Sequence, residues 1–187
     1  MRWLPDAAQQ PQTEVLAGAA AVCSAPGMTL SCSGLGSCVA VALLDPPAGV
    51  AGLAHIMLPA APDGELSDPG HYADRAVPAL LEAVLAAGAT HDRLEAVIAG
   101  GATLFPPASS SSLGERNAAA VRQALAACAI TISGHATGGV RGRTIRVTTG
   151  PAMRVVVRTA GGSDEQLHGP PGDAAGDIDD LTARARR

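Results

Sequence analysis

Between Cys38 and Met57 the chain runs through two apolar stretches, CVAVALL and VAGLAHIM, joined by a short Asp-Pro-Pro-Ala-Gly segment. Their composition and the turn residues around them mark two strands of a hairpin. A thiol, Cys38, and an imidazole, His55, stand inside these runs, where Val or Leu would fill a core more simply. Pairing Leu44 with Gly49 leaves the four-residue loop Asp45-Pro46-Pro47-Ala48, an ordinary hairpin length. That register sets Cys38 directly opposite His55 on one face, with Cβ atoms roughly 5 Å apart. A slip of one residue would send one of them to the other face.

The chemistry of such a pair is specific. A thiol beside a protonated imidazole ionises more readily, and the thiolate is the nucleophile. The imidazole then serves as general acid and base. Gly34-Leu35-Gly36-Ser37, just before the thiol, permits a tight turn whose N–H groups can aim at a developing oxyanion. Each residue also has a plainer reading: a free Cys is commonly a small core hydrophobe, and a strand His commonly a hydrogen-bonded core residue. The turn and the hairpin register favour the pair acting together.

The rest of the chain supplies a scaffold. Short strands are expected at 28–31, 94–99, 129–133, 143–148 and 153–158, and amphipathic helices at 72–87 and 113–127. Pro78 should kink the first helix or mark the start of its main part. Strands that follow one another in hairpin fashion, with two helices, indicate an antiparallel or mixed sheet covered by helices. The domain spans 14–160, with 1–13 and 161–187 read as flexible tails and 109–112 as a surface loop. At 47% hydrophobic and 2% aromatic residues, the core must be built from Ala, Val, Leu and Ile.

All thirteen basic residues are Arg, so a P-loop lysine is excluded. A net charge of -4 without a basic block argues against nucleic-acid binding. Cys23, Cys32, Cys38 and Cys128 form no CxxC pair. His71, His91, His135 and His168 show no paired ligand spacing, so neither a metal nor another cofactor is expected. No run is long enough to insert in a membrane, and no signal peptide is evident. These features read as a cytoplasmic protein with reduced thiols. Cys23 and Cys128 are expected to be structural. Asp74, beside Tyr72, should favour a helix N-terminus. Gly100-Gly101 should permit a tight turn after a strand, and Glu115, Arg116 and Asn117 a helix-start network.

GLGSCVAVALLDP, GLAHIMLP, YADRAVPALLEAVLAAGA, LEAVIAGGATLF, GERN and TGGVRGR occur in this order between Gly34 and Arg143. Together they resemble the successive blocks of the CheD family of chemoreceptor glutamine deamidases. The resemblance implies an α/β fold with a β-sandwich core flanked by helices, similar to glutamine-deamidating toxins. It also implies hydrolysis of glutamine side chains of methyl-accepting chemoreceptor cytoplasmic helices, with a CheC-type phosphatase as a further partner. The family nucleophile falls on Cys38 and its histidine on His55. The family threonine, six positions before the nucleophile, falls on Cys32; with one residue inserted in the turn, Ser31 takes its place. A serine could orient the imidazole as threonine does, and a thiol would do so weakly.

Two other functions compete with a deamidase. One is a catalytically weak interaction protein that keeps only the receptor- or CheC-binding surface. The other is a thiol redox module, for which Cys32 is the only evident resolving thiol.

Overall fold

The computed structural model describes residues 1–3, 12–62, 68–105 and 111–170. Eleven strands and two α-helices are found among them. Six strands form one mixed sheet in the order β1 (Arg2–Trp3), β3 (Ala19–Cys23), β6 (Val50–Ile56), β5 (Val39–Asp45), β7 (Glu95–Gly100) and β8 (Thr131–Thr137). The second sheet runs β11 (Asp164–His168), β10 (Arg154–Thr159), β9 (Arg143–Thr148), β4 (Thr29–Leu35) and β2 (Gln12–Glu14). Helices α1 (Ala73–Ala86) and α2 (Leu113–Ala127) cover the outer face of the first sheet. The layers are helices, six-stranded sheet, five-stranded sheet.

This order explains the unbroken apolar runs. Every residue of β5 and β6 is buried, because each strand is covered on both faces. Along Val39–Leu43 of β5, side-chain size alternates between the two faces. Val39, Val41, Leu43 and Ile56 meet Leu80 and Val84 of α1 and Val121 of α2. Ala40, Ala42 and Ala51 face the second sheet, against Leu30, Cys32, Ile145 and Val155. Small residues there let the sheets approach without aromatic filling.

The hairpin register differs from the expected one. Asp45 pairs with Val50 and Ala40 with His55, so the loop is Pro46–Gly49 rather than Asp45–Ala48. The cause is local. Gly49 takes the left-handed conformation (φ 69), and its N–H donates to the Pro46 carbonyl, 3.0 Å, closing the turn. The Asp45 carboxylate accepts from Ala48 N, 3.2 Å, and so ends the strand instead of entering the loop. The shift is two residues, and Cys38 and His55 therefore keep a common face.

The strand pairing reaches beyond 14–160: β1 lies within 1–13, β2 (Gln12–Glu14) straddles that boundary, and β11 lies within 161–187. Positions 4–11, 63–67, 106–110 and 171–187, including most of the expected tails and part of the 109–112 loop, lie outside the described residues. Helix α1 runs continuously from Ala73 through Pro78, so the proline marks neither end. Asp74 receives the Ala61 N–H, 3.2 Å. Among the described residues no helix is long and apolar enough to cross a membrane.

Asp45 also anchors the hairpin to the turn before β7. Its carboxylate accepts from Thr90 N at 2.7 Å and from the Arg93 guanidinium at 3.0 and 2.9 Å. Burial alone would raise this carboxyl, but the Arg93, Thr90 and Ala48 donors outweigh it and hold it below the usual range. Asp45→Ala strands the Thr90 and Ala48 N–H groups. It is expected to cost about 1–3 kcal/mol, read as a lower urea midpoint with an unchanged slope.

Candidate functional site

The two sheets bring several strand ends together at one end of the sandwich. They are the C-terminal ends of β2, β4, β6, β7 and β8 and the N-terminal ends of β5 and β9. Cys38 lies one residue before β5, and His55 is the penultimate residue of β6. Ala40, not Cys38, opposes His55. Thiol and imidazole are therefore diagonal neighbours on one face, a relation that separates Cβ atoms by ~7–8 Å. His55 is buried and Cys38 half-buried.

The imidazole is oriented by main chain. His55 Nδ1 lies 3.3 Å from the carbonyl oxygen of Val15. A carbonyl only accepts, so Nδ1 carries the proton and Nε2 keeps the lone pair. The reverse link, Gly18 N to His55 O at 2.8 Å, ties the same segment to the end of β6. Burial pushes His55 below the ordinary imidazole range, opposed by Val15 and by the charge of Glu14. Burial likewise pushes the Cys38 thiol up, opposed by its own backbone N–H. Both shifts favour a neutral thiol beside a neutral imidazole, in place of the expected thiolate next to a protonated ring.

Cys32 and Ser31 part company. Alternation along β4 puts Cys32 in the inter-sheet core with Leu30 and turns Ser31 to the opposite face. Burial first, then the charges of Glu14 and Cys38, raise the Cys32 thiol well above its ordinary value. The Ser31 hydroxyl donates to Glu14 Oε2, 2.5 Å, and Ser33 N donates to Glu14 Oε1, 2.7 Å. The bond to His55 Nδ1 thus comes from the Val15 carbonyl rather than from Ser31 or Cys32. Glu14 and Val15 were not singled out from sequence. No pattern in the chain signals that a parallel β2–β4 pair, Glu14 beside Ser31, carries them to the histidine.

The turn before Cys38 is held at three consecutive carbonyls. Ala102 N donates to Gly36 O, 2.7 Å, and Gly101 N to Cys38 O, 2.8 Å. Asn117 Nδ2 donates to Ser37 O, 2.9 Å, and to Met57 O, 2.8 Å. Gly100 and Gly101 both have positive φ, 111 and 63, and a Cβ on Gly100 would collide with the Cys38 carbonyl. Arg143 supports this layer by donating to Gly138 O, 2.6 Å, while Gly138 N donates to Gly100 O, 2.9 Å. At α2 the expected helix-start network is present for Glu115, which forms a capping box with Ser112. Asn117 instead points at the turn before Cys38. Among the described residues no group of three or more His, Cys, Asp or Glu is arranged to hold a metal ion.

A thiol beside an imidazole with one nitrogen occupied is the equipment of acyl-transfer enzymes that pass through a thioester. The comparisons give the particular lineage. A family model described as CheD chemotactic sensory transduction matches residues 57–159. The chemoreceptor glutamine deamidase CheD of Thermotoga maritima is 41% identical over 150 residues, 79% of this chain and 92% of that protein. The probable chemoreceptor glutamine deamidase CheD of Symbiobacterium thermophilum is 40% identical over 153 residues, 78% of this chain and 91% of that one. Its counterpart in Archaeoglobus fulgidus is 38% identical over 152 residues, 80% and 96% of the two chains. A solved structure, hypothetical protein YfiH of Bacillus licheniformis, matches with a TM-score of 0.40 and 15% identity over 64% of this chain and 49% of that one. The chain belongs to the CheD family.

Gly100→Ala tests the support of the turn that carries Cys38. A Cβ there must displace the Cys38 backbone and force an unfavourable φ, at a cost of about 1–3 kcal/mol. The expected result is a lower melting temperature together with slower modification of Cys38 by iodoacetamide. Unchanged thiol reactivity would show that the glycine serves the fold alone.

Proposed function

We propose that Cys38 and His55 carry out the reaction of this chain, the hydrolysis of chemoreceptor glutamine side chains to glutamate in chemotaxis. The observation that carries the reading is the shared face of thiol and imidazole, with His55 Nδ1 bonded to Val15 O. His55 Nε2 removes the Cys38 proton as Sγ forms a bond to the amide carbon. Backbone N–H groups at Ser37 and Cys38 receive the oxyanion. The tetrahedral adduct collapses to a thioester, and ammonia leaves with a proton from His55. The imidazole next deprotonates water, which attacks the thioester. Cys38 departs, regains its proton, and glutamate is released. Methyl esters at the same receptor positions would follow the same steps.

A protein substrate suits the rim of the site. Leu104 packs where a Cβ on Gly36 would come within 2.6 Å of it, beside the nucleophile turn. Phe105 and Val140, 81% and 73% exposed, extend this apolar surface; their loops are tied by Thr103 N to Gly139 O, 2.8 Å. Exposed apolar side chains around a reactive group fit the apolar face of a receptor cytoplasmic helix. A CheC-type phosphatase is the second partner class in this reading, and the cytoplasm its setting. Cys32 lines the floor beside the nucleophile, and Ser31 steadies Glu14, whose charge supports the protonated imidazole formed during attack.

The direct test is mass spectrometry of a glutamine-bearing receptor helix fragment after incubation. Cys38→Ala is expected to abolish the roughly 1 Da gain of deamidation, and His55→Ala to lower turnover by about 10²–10⁴-fold. A Cys38→Ala protein that retains most activity would sink the assignment. A wild-type protein that binds the fragment without changing its mass would leave an interaction protein.

The pH dependence follows from the shifts at the site. Because the His55 pKa is depressed, its base form persists below the ordinary imidazole value of about 6.5. The acid limb of kcat/KM is expected below that pH. Cys38 alkylation is expected to rise only above the ordinary thiol value of about 8.5. A thiolate plateau already present at pH 6 would contradict the neutral pair.

Since the Val15 carbonyl orients His55 and Cys32 packs in the inter-sheet core, Cys32→Thr and Cys32→Ala are each expected to change turnover by less than about tenfold. Both are read on the same receptor fragment. A larger loss in Cys32→Ala that Cys32→Thr restores would make residue 32 the orienting group instead.

A further inference from the structure

We propose that Asn117 is a positioning residue that aims the Cys38 N–H at the oxyanion by gripping the other side of the same peptide. This inference rests on the reading of Cys38 as nucleophile.

The geometry begins with one amide nitrogen shared by two carbonyls. Asn117 Nδ2 lies 2.9 Å from Ser37 O and 2.8 Å from Met57 O. Both partners can only accept, so the amide must present its NH₂ to them and both its hydrogens are used. Ser37 precedes the nucleophile and Met57 lies two residues after His55. The β5–β6 ladder ends at Val39 and Ile56. Asn117 therefore takes over where strand pairing stops, and the segment it clamps contains Cys38.

The Ser37 carbonyl and the Cys38 N–H belong to one planar trans peptide and point in opposite directions. Helix α2 covers the outer face of the six-stranded sheet, whereas the Cys38 side chain packs toward the inter-sheet core. Pulling the carbonyl toward α2 turns the N–H toward the thiol side. In keeping with this direction, the Cys38 N–H opposes the rise of the thiol pKa caused by burial. The carbonyls on either side, Gly36 and Cys38, are pinned by Ala102 N and Gly101 N. The peptide between them is free to rotate only as far as Asn117 lets it.

The surroundings are built for this contact. A Cβ on Gly114 would lie 2.5 Å from the Gly101 carbonyl, so glycine lets the first turn of α2 press against the loop after β7. That approach carries Asn117 to the nucleophile turn. Asn117 is fully buried, and among the described residues nothing donates to its Oδ1. An apolar side chain would avoid burying that acceptor. Local rules are broken in this way at functional positions.

The test compares wild type with Asn117→Ala, which removes the amide, and Asn117→Ser, which keeps a smaller donor. Deamidation of a receptor helix fragment is measured per titratable Cys38 thiol, and Cys38 alkylation by iodoacetamide is followed across pH by peptide mass spectrometry. Losing the aim of one oxyanion donor is expected to lower kcat by about 10–10²-fold. KM should stay within about twofold, because an oxyanion donor acts in the transition state and not in substrate binding. The alkylation profile should move to higher pH, with Asn117→Ser intermediate in both readouts. A merely structural role would lower the amount of folded protein, leaving kcat per titrated thiol and the alkylation profile as in wild type; that result overturns the inference. Should Asn117→Ala fail to fold, Asn117→Ser alone decides by the same two readouts. If wild type itself deamidates nothing, the reading of Cys38 falls with it; if wild type is active and the variants match it, only the inference about Asn117 falls.

Discussion

The β5–β6 ladder, covered by helices on one side and by a second sheet on the other, is the constraint from which the remaining arrangement follows. A strand pair buried on both faces cannot carry polar residues without partners. Asp45 is accepted at one end because Thr90, Ala48 and Arg93 donate to it. His55 is accepted at the other end because Val15 receives its Nδ1 proton. Asp45 and His55 thus sit at opposite ends of one hairpin, each satisfied by chain from elsewhere in the fold.

Where the ladder stops, geometry passes from strand pairing to side chains and glycine. The turn from Gly36 to Cys38 is held by main-chain donors of the Gly101–Ala102 loop and by the Asn117 amide. Gly36, Gly100 and Gly114 each permit an approach that a Cβ would block. Such a site is rigid without being strongly charged. Burial moves the thiol and the imidazole toward their neutral forms.

The elements were legible because their causes are local. Helix α2 was read at its observed bounds, 113–127, from the spacing of Val121 and Leu125, and β9 likewise at 143–148. The common face of Cys38 and His55 also survived, since a two-residue change of register preserves sidedness. The register is not legible locally: Asp45 reads as a loop residue, yet it pairs with Val50. Its partners Thr90 and Arg93 are remote in sequence, and only they and the turn-closing Gly49 make it the last residue of the strand.

What the sequence by itself determined was the family and the order of its pieces: a thiol after a glycine turn, an imidazole on the next strand, and a core of small apolar residues in blocks that resemble that family. The tertiary structure alone decided how those pieces are aimed. Val15, Glu14 and Asn117 reach the site through a parallel strand pair and a helix docked on glycine. The Val15 and Asn117 contacts link residues 40 and 80 positions apart, and they depend on backbone carbonyls and close packing, which leave no periodicity or spacing along the chain.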